Sequence, residues 1–258
     1  MEMRGLMGGF YKISEWIMRL SVTNVLWVVC SLPFLYLLIV PLLVYNKAEE
    51  LDQLLVSLTI AGAAAPFFFF PATSAMFTTV RKWVMGEVDA PLLKTFFRGY
   101  KENYVKSMLG GLLYTLIFII IIVDYRVYLS GIEGLQLLSY IFLGLGLLLA
   151  VSLFNFFSLI VHYHKSTLQL VKDAILITIG RPFRSLSTVL VSVAILFIST
   201  RFTFLFPFFT GSLIAYMAFF NFYQVYLKMK EMMERQEQEQ LEQLEQQERE
   251  MAEQEPKQ

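Results

Sequence analysis

Long uncharged apolar runs alternate with short charged stretches along this chain. Residues 53–80 carry no charge, and neither do residues 107–123. About 20 apolar residues cover a bilayer core of roughly 30 Å, so runs of this kind are read as crossings. Applied throughout, the pattern predicts six spans, at about 23–44, 54–80, 107–127, 135–161, 185–204 and 208–227. Prolines mark two of them. Pro33 and Pro41 are expected to bend the first span or mark its end. Pro66 and Pro71 bracket four phenylalanines in the second. A kink or partial unwinding is expected there, tolerable only where neighbouring helices satisfy the freed carbonyls.

The stretches between spans have their own periodicity. In residues 81–106, Leu92, Phe96, Tyr100 and Tyr104 recur every four residues beside Leu93 and Phe97, and Lys94, Arg98 and Lys101 form a second row. That is an amphipathic helix over about 90–104, with Asp89 as its N-cap and Pro91 in its first turn. It suits an interfacial position among lipid headgroups and a docking surface for a cytoplasmic partner. Residues 8–20 repeat the theme: Phe10, Ile13, Trp16, Ile17 and Leu20 share a face, with Lys12, Glu15 and Arg19 off it. A third such helix covers 166–179. Ser166 and Gln169 fit a capping box, and Gly180 followed by Pro182 ends it. Its polar face, Gln169, Lys172 and Asp173, is narrow, so most of it is expected to be buried. Each amphipathic segment precedes an outgoing span, at a period of about 80 residues, which is the signature of a three-fold hairpin repeat. The fold class that follows is an all-α membrane protein: a six-transmembrane helical bundle over 1–227 with amphipathic cytoplasmic linking helices.

Composition agrees. Hydrophobic residues make up 57% of the 258, above the roughly 45–50% of a soluble domain, and only 16% are charged. Net charge is zero but unevenly distributed. Residues 231–258 hold ten Glu against three Lys/Arg, a net −7, and the rest of the chain carries +7. The acidic Glu/Gln-rich tail, 228–258, reads as a solvated, partly helical extension. Leu241, Leu244 and Met251 fall on heptad core positions, but Glu248 interrupts them, too little for a coiled coil. Sidedness follows from the cations. With both termini cytoplasmic, the inner segments hold 18 Lys/Arg and the outer ones three, Lys47, Arg126 and Arg201. Outer turns fall at 47–52, at 129–134 and at Phe206-Pro207. The N-terminus is not expected to be a cleaved signal, since the apolar run after Arg19 is too long.

Candidate chemistry is sparse. Asp124 and Arg201 lie at similar counts from the inner ends of their spans, so they are a candidate ion pair near the outer surface. Asn24, Asn155, Asn221 and Gln224, with Thr73, Ser74, Thr78 and Thr79, cluster towards the inner leaflet as interhelical hydrogen-bond glue or as the lining of a small cavity. His162 and His164 form an HxH pair without a third metal ligand. Cys30 lies in an apolar run and has no disulfide partner. No phosphate loop, paired intramembrane carboxylates or nucleophile–base spacing is present. Neither an enzyme nor an ion-coupled pump is expected, nor any cofactor, metal or nucleic-acid partner.

Three segments carry a family resemblance. Residues 24–33 (Asn-Val-Leu-Trp-Val-Val-Cys-Ser-Leu-Pro), 72–80 (Ala-Thr-Ser-Ala-Met-Phe-Thr-Thr-Val, with Glu87 after it) and 95–104 (Thr-Phe-Phe-Arg-Gly-Tyr-Lys-Glu-Asn-Tyr) resemble the YesL family of bacterial membrane proteins. Arg181-Pro-Phe-Arg184 fits the looser pattern before the fifth span. The likeness covers about residues 5–227 and leaves out the tail. It implies a compact polytopic protein of the cell membrane without an assigned activity, encoded near carbohydrate ABC transporters, and hence a non-catalytic accessory or regulatory role in carbohydrate import. Lys94, Arg98, Lys101, Arg181 and Arg184 are the candidate contacts to a transporter subunit or to anionic lipid. The competing expectation is a stand-alone permease or channel for a small neutral solute, with the aromatic block of the second span lining its path.

Overall fold

The structure, a computed structural model, describes residues 6–44, 51–130 and 136–254. The turns expected at 47–52 and 129–134 lie largely outside the described residues. All regular structure in the described residues is helical: α1 (Leu6–Val44), α2 (Leu51–Val84), α3 (Leu92–Ser130), α4 (Gln136–His162), α5 (Thr167–Gly180), α6 (Pro182–Arg201), a π-helical turn (Phe206–Thr210) and α7 (Gly211–Gln254). Among the described residues, five helices are long and apolar enough to cross a membrane: Gly9–Leu43, Val56–Val84, Leu92–Leu129, Gln136–His162 and Pro182–Arg201. The stretch 208–227 is not a sixth of this kind. It is divided between the π turn and the start of α7, and Asn221, Gln224 and three tyrosines dilute it.

Two linking segments are not separate helices. The amphipathic segment of 8–20 and the first span are one helix of 39 residues, and so are the 90–104 segment and the third span. At 1.5 Å per residue each is about 58 Å long. No helix breaker stands between amphipathic and apolar parts in either case. Only the third linking helix is distinct, because the Gly180-Arg181-Pro182 sequence ends α5 and starts α6. Ser166 N–H donates to Gln169 Oε1 (3.3 Å), one half of the expected capping box. α7 likewise runs on through the tail to Gln254, so the tail is helical well beyond what its composition indicates. From 228 to 246 it is exposed on every side, Leu241 and Leu244 included.

α2 is the hub, packing against α1, α3, α4 and α7. Pro66 and Pro71 are fully buried within it, and the helix stays continuous across both. The expected unwinding is therefore absent. Proline at 71 leaves the Phe67 carbonyl without its helical donor. The Tyr104 hydroxyl of α3 donates to that carbonyl at 3.4 Å, a long bond. Pro33 and Pro41 also lie inside their helix. Glycines let α3 approach closely. A Cβ on Gly111 would lie 2.9 Å from Pro66 Cα and 2.8 Å from the Phe70 ring, one on Gly110 would lie 2.2 Å from Phe156, and one on Gly99 would lie 2.6 Å from Thr78. Small residues are what membrane helices use to pack tightly, since apolar burial gains little against lipid. The space they leave holds an aromatic cluster, with ring centroids 5.2 Å apart for Phe70–Phe157, 5.3 Å for Tyr114–Phe156 and 5.6 Å for Phe77–Phe157.

The last hairpin sits differently from the one the pattern predicts. Asn24, fully buried, donates from Nδ2 to the Phe206 carbonyl (2.9 Å) and accepts the Ser212 N–H on Oδ1 (2.9 Å). The sequence pattern puts Asn24 near the inner end of the first span and Phe206 at an outer turn, yet the two are bonded. α1 continues 20 residues beyond Asn24 to Val44, about 30 Å of helix. The α6–α7 turn therefore stops well short of the far end of α1. Its side chains Phe202, Phe204, Phe206 and Phe208 are exposed, as suits lipid rather than water.

Two outcomes are expected. Gly111→Val, which must displace backbone, is expected to cost about 1–3 kcal/mol in thermal or SDS unfolding, while Gly9→Ala, with open space around it, leaves stability unchanged. A single cysteine at Phe204 in a Cys30→Ser background is expected to resist an impermeant maleimide from the side on which α1 ends at Val44. Prompt labelling from that side would show a turn that reaches the far surface.

Candidate functional site

The link from α2 to α3 is built by one turn. Glu87 N–H donates to Lys82 O (2.8 Å) and Gly86 N–H to Trp83 O (3.1 Å), the paired bonds of a Schellman motif. Gly86 supplies the left-handed residue that the motif needs, at φ 91°. The chain then turns through Pro91, whose carbonyl accepts the first helical bond of α3 from Thr95 N–H (2.9 Å). Asp89 is not the N-cap. Its fully exposed carboxylate lies 3.5 Å from Arg19 instead. Arg19 itself is buried, held by Glu15, the Val88 carbonyl and Asp89, so this residue clamps the link onto α1. The helical pattern placed Arg19 on the polar face, and only the link folding over it takes it out of solvent. Trp16 packs edge-on against Trp83 and Tyr216, both at 5.7 Å.

Between the end of α2 and the start of α3 lies a cleft of about 400 Å³, lined by Thr78, Arg81, Lys82, Ala90, Pro91, Lys94, Thr95, Arg98 and Glu102. Four cations face it with one carboxylate. Lys82 Nζ lies 2.5 Å from Glu87 Oε2, and Arg98 Nε lies 2.8 Å from Glu102 Oε1. The hydrogen bond and charge of Lys82 hold the Glu87 carboxyl below its usual range. That ion pair is present above the ordinary carboxylate pKa and is lost as pH falls through the lowered one. Thr78 accepts from Asn103 (3.3 Å) across the helix pair. Beside these cations on α3, Leu93 and Phe97 are exposed while Phe96 is buried and Tyr100 half-buried. The apolar side of this segment is thus divided, one row into the bundle and one outward.

The other candidate cations do not join this cleft. Lys101 is exposed further along α3. Arg181 and Arg184 line a crevice of about 10 Å³ among α4, α5, α6 and α7, with Asn155, Ser185, Thr188 and Asn221. That is room for about one water. α5 is less buried than its narrow polar face implied: Leu168, Leu176 and Ile179 are exposed, and so is Phe183 just beyond it. Asp124 and Arg201 do not meet. α3 and α6 do not pack against each other, and the Arg201 guanidinium lies 5.6 Å from the centroid of the Phe197 ring. Counting residues from the start of each span assumed that the spans reach equal height, and the shallow hairpin breaks that assumption.

Many of the inner polar groups are bonded within the bundle, although buried Thr23 Oγ1, Ser31 Oγ and Trp83 Nε1 meet no partner among the described residues. Asn155 Nδ2 donates to Thr178 Oγ1 (2.8 Å), Asn221 Nδ2 to Thr188 Oγ1 (3.0 Å) and Trp27 Nε1 to Thr73 Oγ1 (3.0 Å). Tyr114 and Ser152 share a hydrogen bond of 2.9 Å, and Ser199 and Thr210 one of 2.7 Å. Ser74, Thr78 and Thr79 donate back to their own helix. His162 is ringed by Tyr163, Phe219, Phe222, Tyr223 and Tyr226, and His164 is exposed.

These features define a multi-helix membrane protein with hydrogen bonds between its helices and a cationic face at one end. Comparison with known proteins narrows this to a family. Residues 20–125 match the family model described as a protein of unknown function, DUF624. The chain is 30% identical over 216 residues to uncharacterized protein YteU of Bacillus subtilis, a match covering 84% of each chain. It is 27% identical to YesL of the same organism over 208 residues, 80% of this chain and 84% of that one. It is 29% identical to YesV over 137 residues, 53% and 65% of the two chains. The protein belongs to this YesL-like DUF624 family. No solved structure matches it.

Arg19→Gln is expected to lower stability by about 1–3 kcal/mol, because the half-buried Val88 carbonyl and Glu15 carboxylate lose the buried guanidinium that holds them. Thermal unfolding of the purified protein measures this, and an unchanged midpoint would mean that the clamp is idle.

Proposed function

We propose that this protein is a non-catalytic accessory or regulatory component of a carbohydrate ABC import system in the bacterial cell membrane. Six apolar segments in three hairpins return both termini to the cytoplasm. The 18-to-three division of Lys/Arg supports that sidedness. The observation that carries the reading is the composition of the linking helices. Lys94, Arg98, Lys101 and Arg184 are exposed there beside exposed Leu93, Phe97 and Phe183, while Asn155 and Asn221 inside the bundle are bonded to threonines of neighbouring helices. Cations interleaved with exposed apolar side chains suit a headgroup-level surface or a subunit contact. The family resemblance supplies the sugar-uptake context.

Tagged protein purified in mild detergent from sugar-induced cells is expected to retain permease or ATP-binding subunits of a sugar importer. The double variant Arg98→Glu/Lys101→Glu is expected to lose most of that co-purification at unchanged expression. Failure to recover any importer subunit counts against the reading. So does sugar uptake by proteoliposomes holding this protein alone, the behaviour of a permease.

A further inference from the structure

We propose that the cleft between α2 and α3 is a binding site for a phosphate-bearing anion, with Arg81 and Lys94 as its principal contacts. Its volume, about 400 Å³, lies within the range of small-ligand pockets. Its charge is unbalanced. Of the four cations, Lys82 and Arg98 are each matched by a carboxylate, Glu87 and Glu102. Neither Arg81 nor Lys94 has a carboxylate within ion-pair distance among the described residues. The Arg81 Nε–H is buried and meets no acceptor. Buried donors are nearly always satisfied, so a guanidinium N–H left open at a cleft wall is where an external acceptor fits.

The chemistry of the walls selects the ligand. A guanidinium forks two parallel N–H groups onto phosphate oxygens, and a lysine ammonium adds a point charge. Thr78 and Thr95 place hydroxyl groups in the same lining. α3 begins in the cleft wall, and the positive end of its dipole adds to the field. A metal cation would meet the wrong sign of charge here. The phosphate has two sources. It is either a soluble phosphate or the headgroup of an anionic lipid, whose acyl chains would run along exposed Leu93 and Phe97 beside the site. This inference stands independently of the sugar-import reading, since the cleft binds or fails to bind without any transporter subunit.

The test uses the full chain in detergent. Its melting temperature is followed against dioctanoyl phosphatidylglycerol, inorganic phosphate and dioctanoylglycerol, which has the tails without the phosphate. A saturable rise with phosphatidylglycerol and none with dioctanoylglycerol is expected. A similar rise with inorganic phosphate identifies a soluble ligand, and its absence identifies the lipid. Arg81→Gln and Lys94→Gln are each expected to weaken binding about tenfold. Lys228→Gln/Lys230→Gln, on the tail helix, is expected to leave it unchanged. If Arg81→Gln fails to fold, Lys94→Gln decides, because its side chain is exposed. No rise with either phosphate compound overturns the proposal. So does an equal rise with dioctanoylglycerol, retained binding in the foldable cleft variants, or equal loss in the tail variant.

Discussion

A backbone carbonyl inside a bilayer has no water to turn to, and α2 carries two prolines at the centre of the bundle. Each removes a helical donor, and an unmet carbonyl in hydrocarbon costs several kcal/mol. The hub helix stays continuous and packs against four neighbours, and α3 lies close enough to help. Tyr104 reaches the Phe67 carbonyl, and Gly111 lets the α3 backbone rest against Pro66. The aromatic cluster of Phe70, Phe77, Tyr114, Phe156 and Phe157 then fills the seam among α2, α3 and α4. Much of the architecture follows from that one contact, because α3 could not carry the linking segment and the third span as one rod without a partner along its length.

The same contact shapes the cationic end. α2 and α3 are joined by a short link whose turn needs Gly86, so Arg81 and Lys82 at the end of one helix come to face Lys94 and Arg98 at the start of the next. Repulsion among them is moderated by Glu87 and Glu102, which neutralise one cation on each side. Arg19 draws the link onto α1 and commits the N-terminal segment to the same assembly. The cleft is thus a product of helix packing, and its surplus positive charge lies at the end of the bundle where α2 hands over to α3.

Polar residues in the interior serve cohesion. Asn24, Asn155 and Asn221 each bind across to another segment, and the Asn24 pair of bonds ties the α6–α7 turn to α1 at about mid-length. That tie makes the last hairpin shallow relative to α1. An arginine and several phenylalanines at its tip are then carried to a depth that counting residues along α6 does not reveal.

Helical class, the apolar segments, the ends of α5 and the cationic character of the linking helices were legible in the sequence. They depend on local rules: apolar run length, the 3.6-residue period, capping residues and glycine–proline punctuation. The family was legible too, through ordered motifs around Asn24, Thr73 and Gly99. What the linear pattern could not hold was height and neighbourhood. Asp124 and Arg201 looked paired by count and are separated by packing. Arg19 looked exposed by helical face and is buried by a link that folds back over it. Pro66 and Pro71 read as breakers and are accommodated by the glycines and tyrosine of another helix. Each of these outcomes is set by contacts between residues far apart in the chain, and such contacts exist only once the helices have chosen their partners.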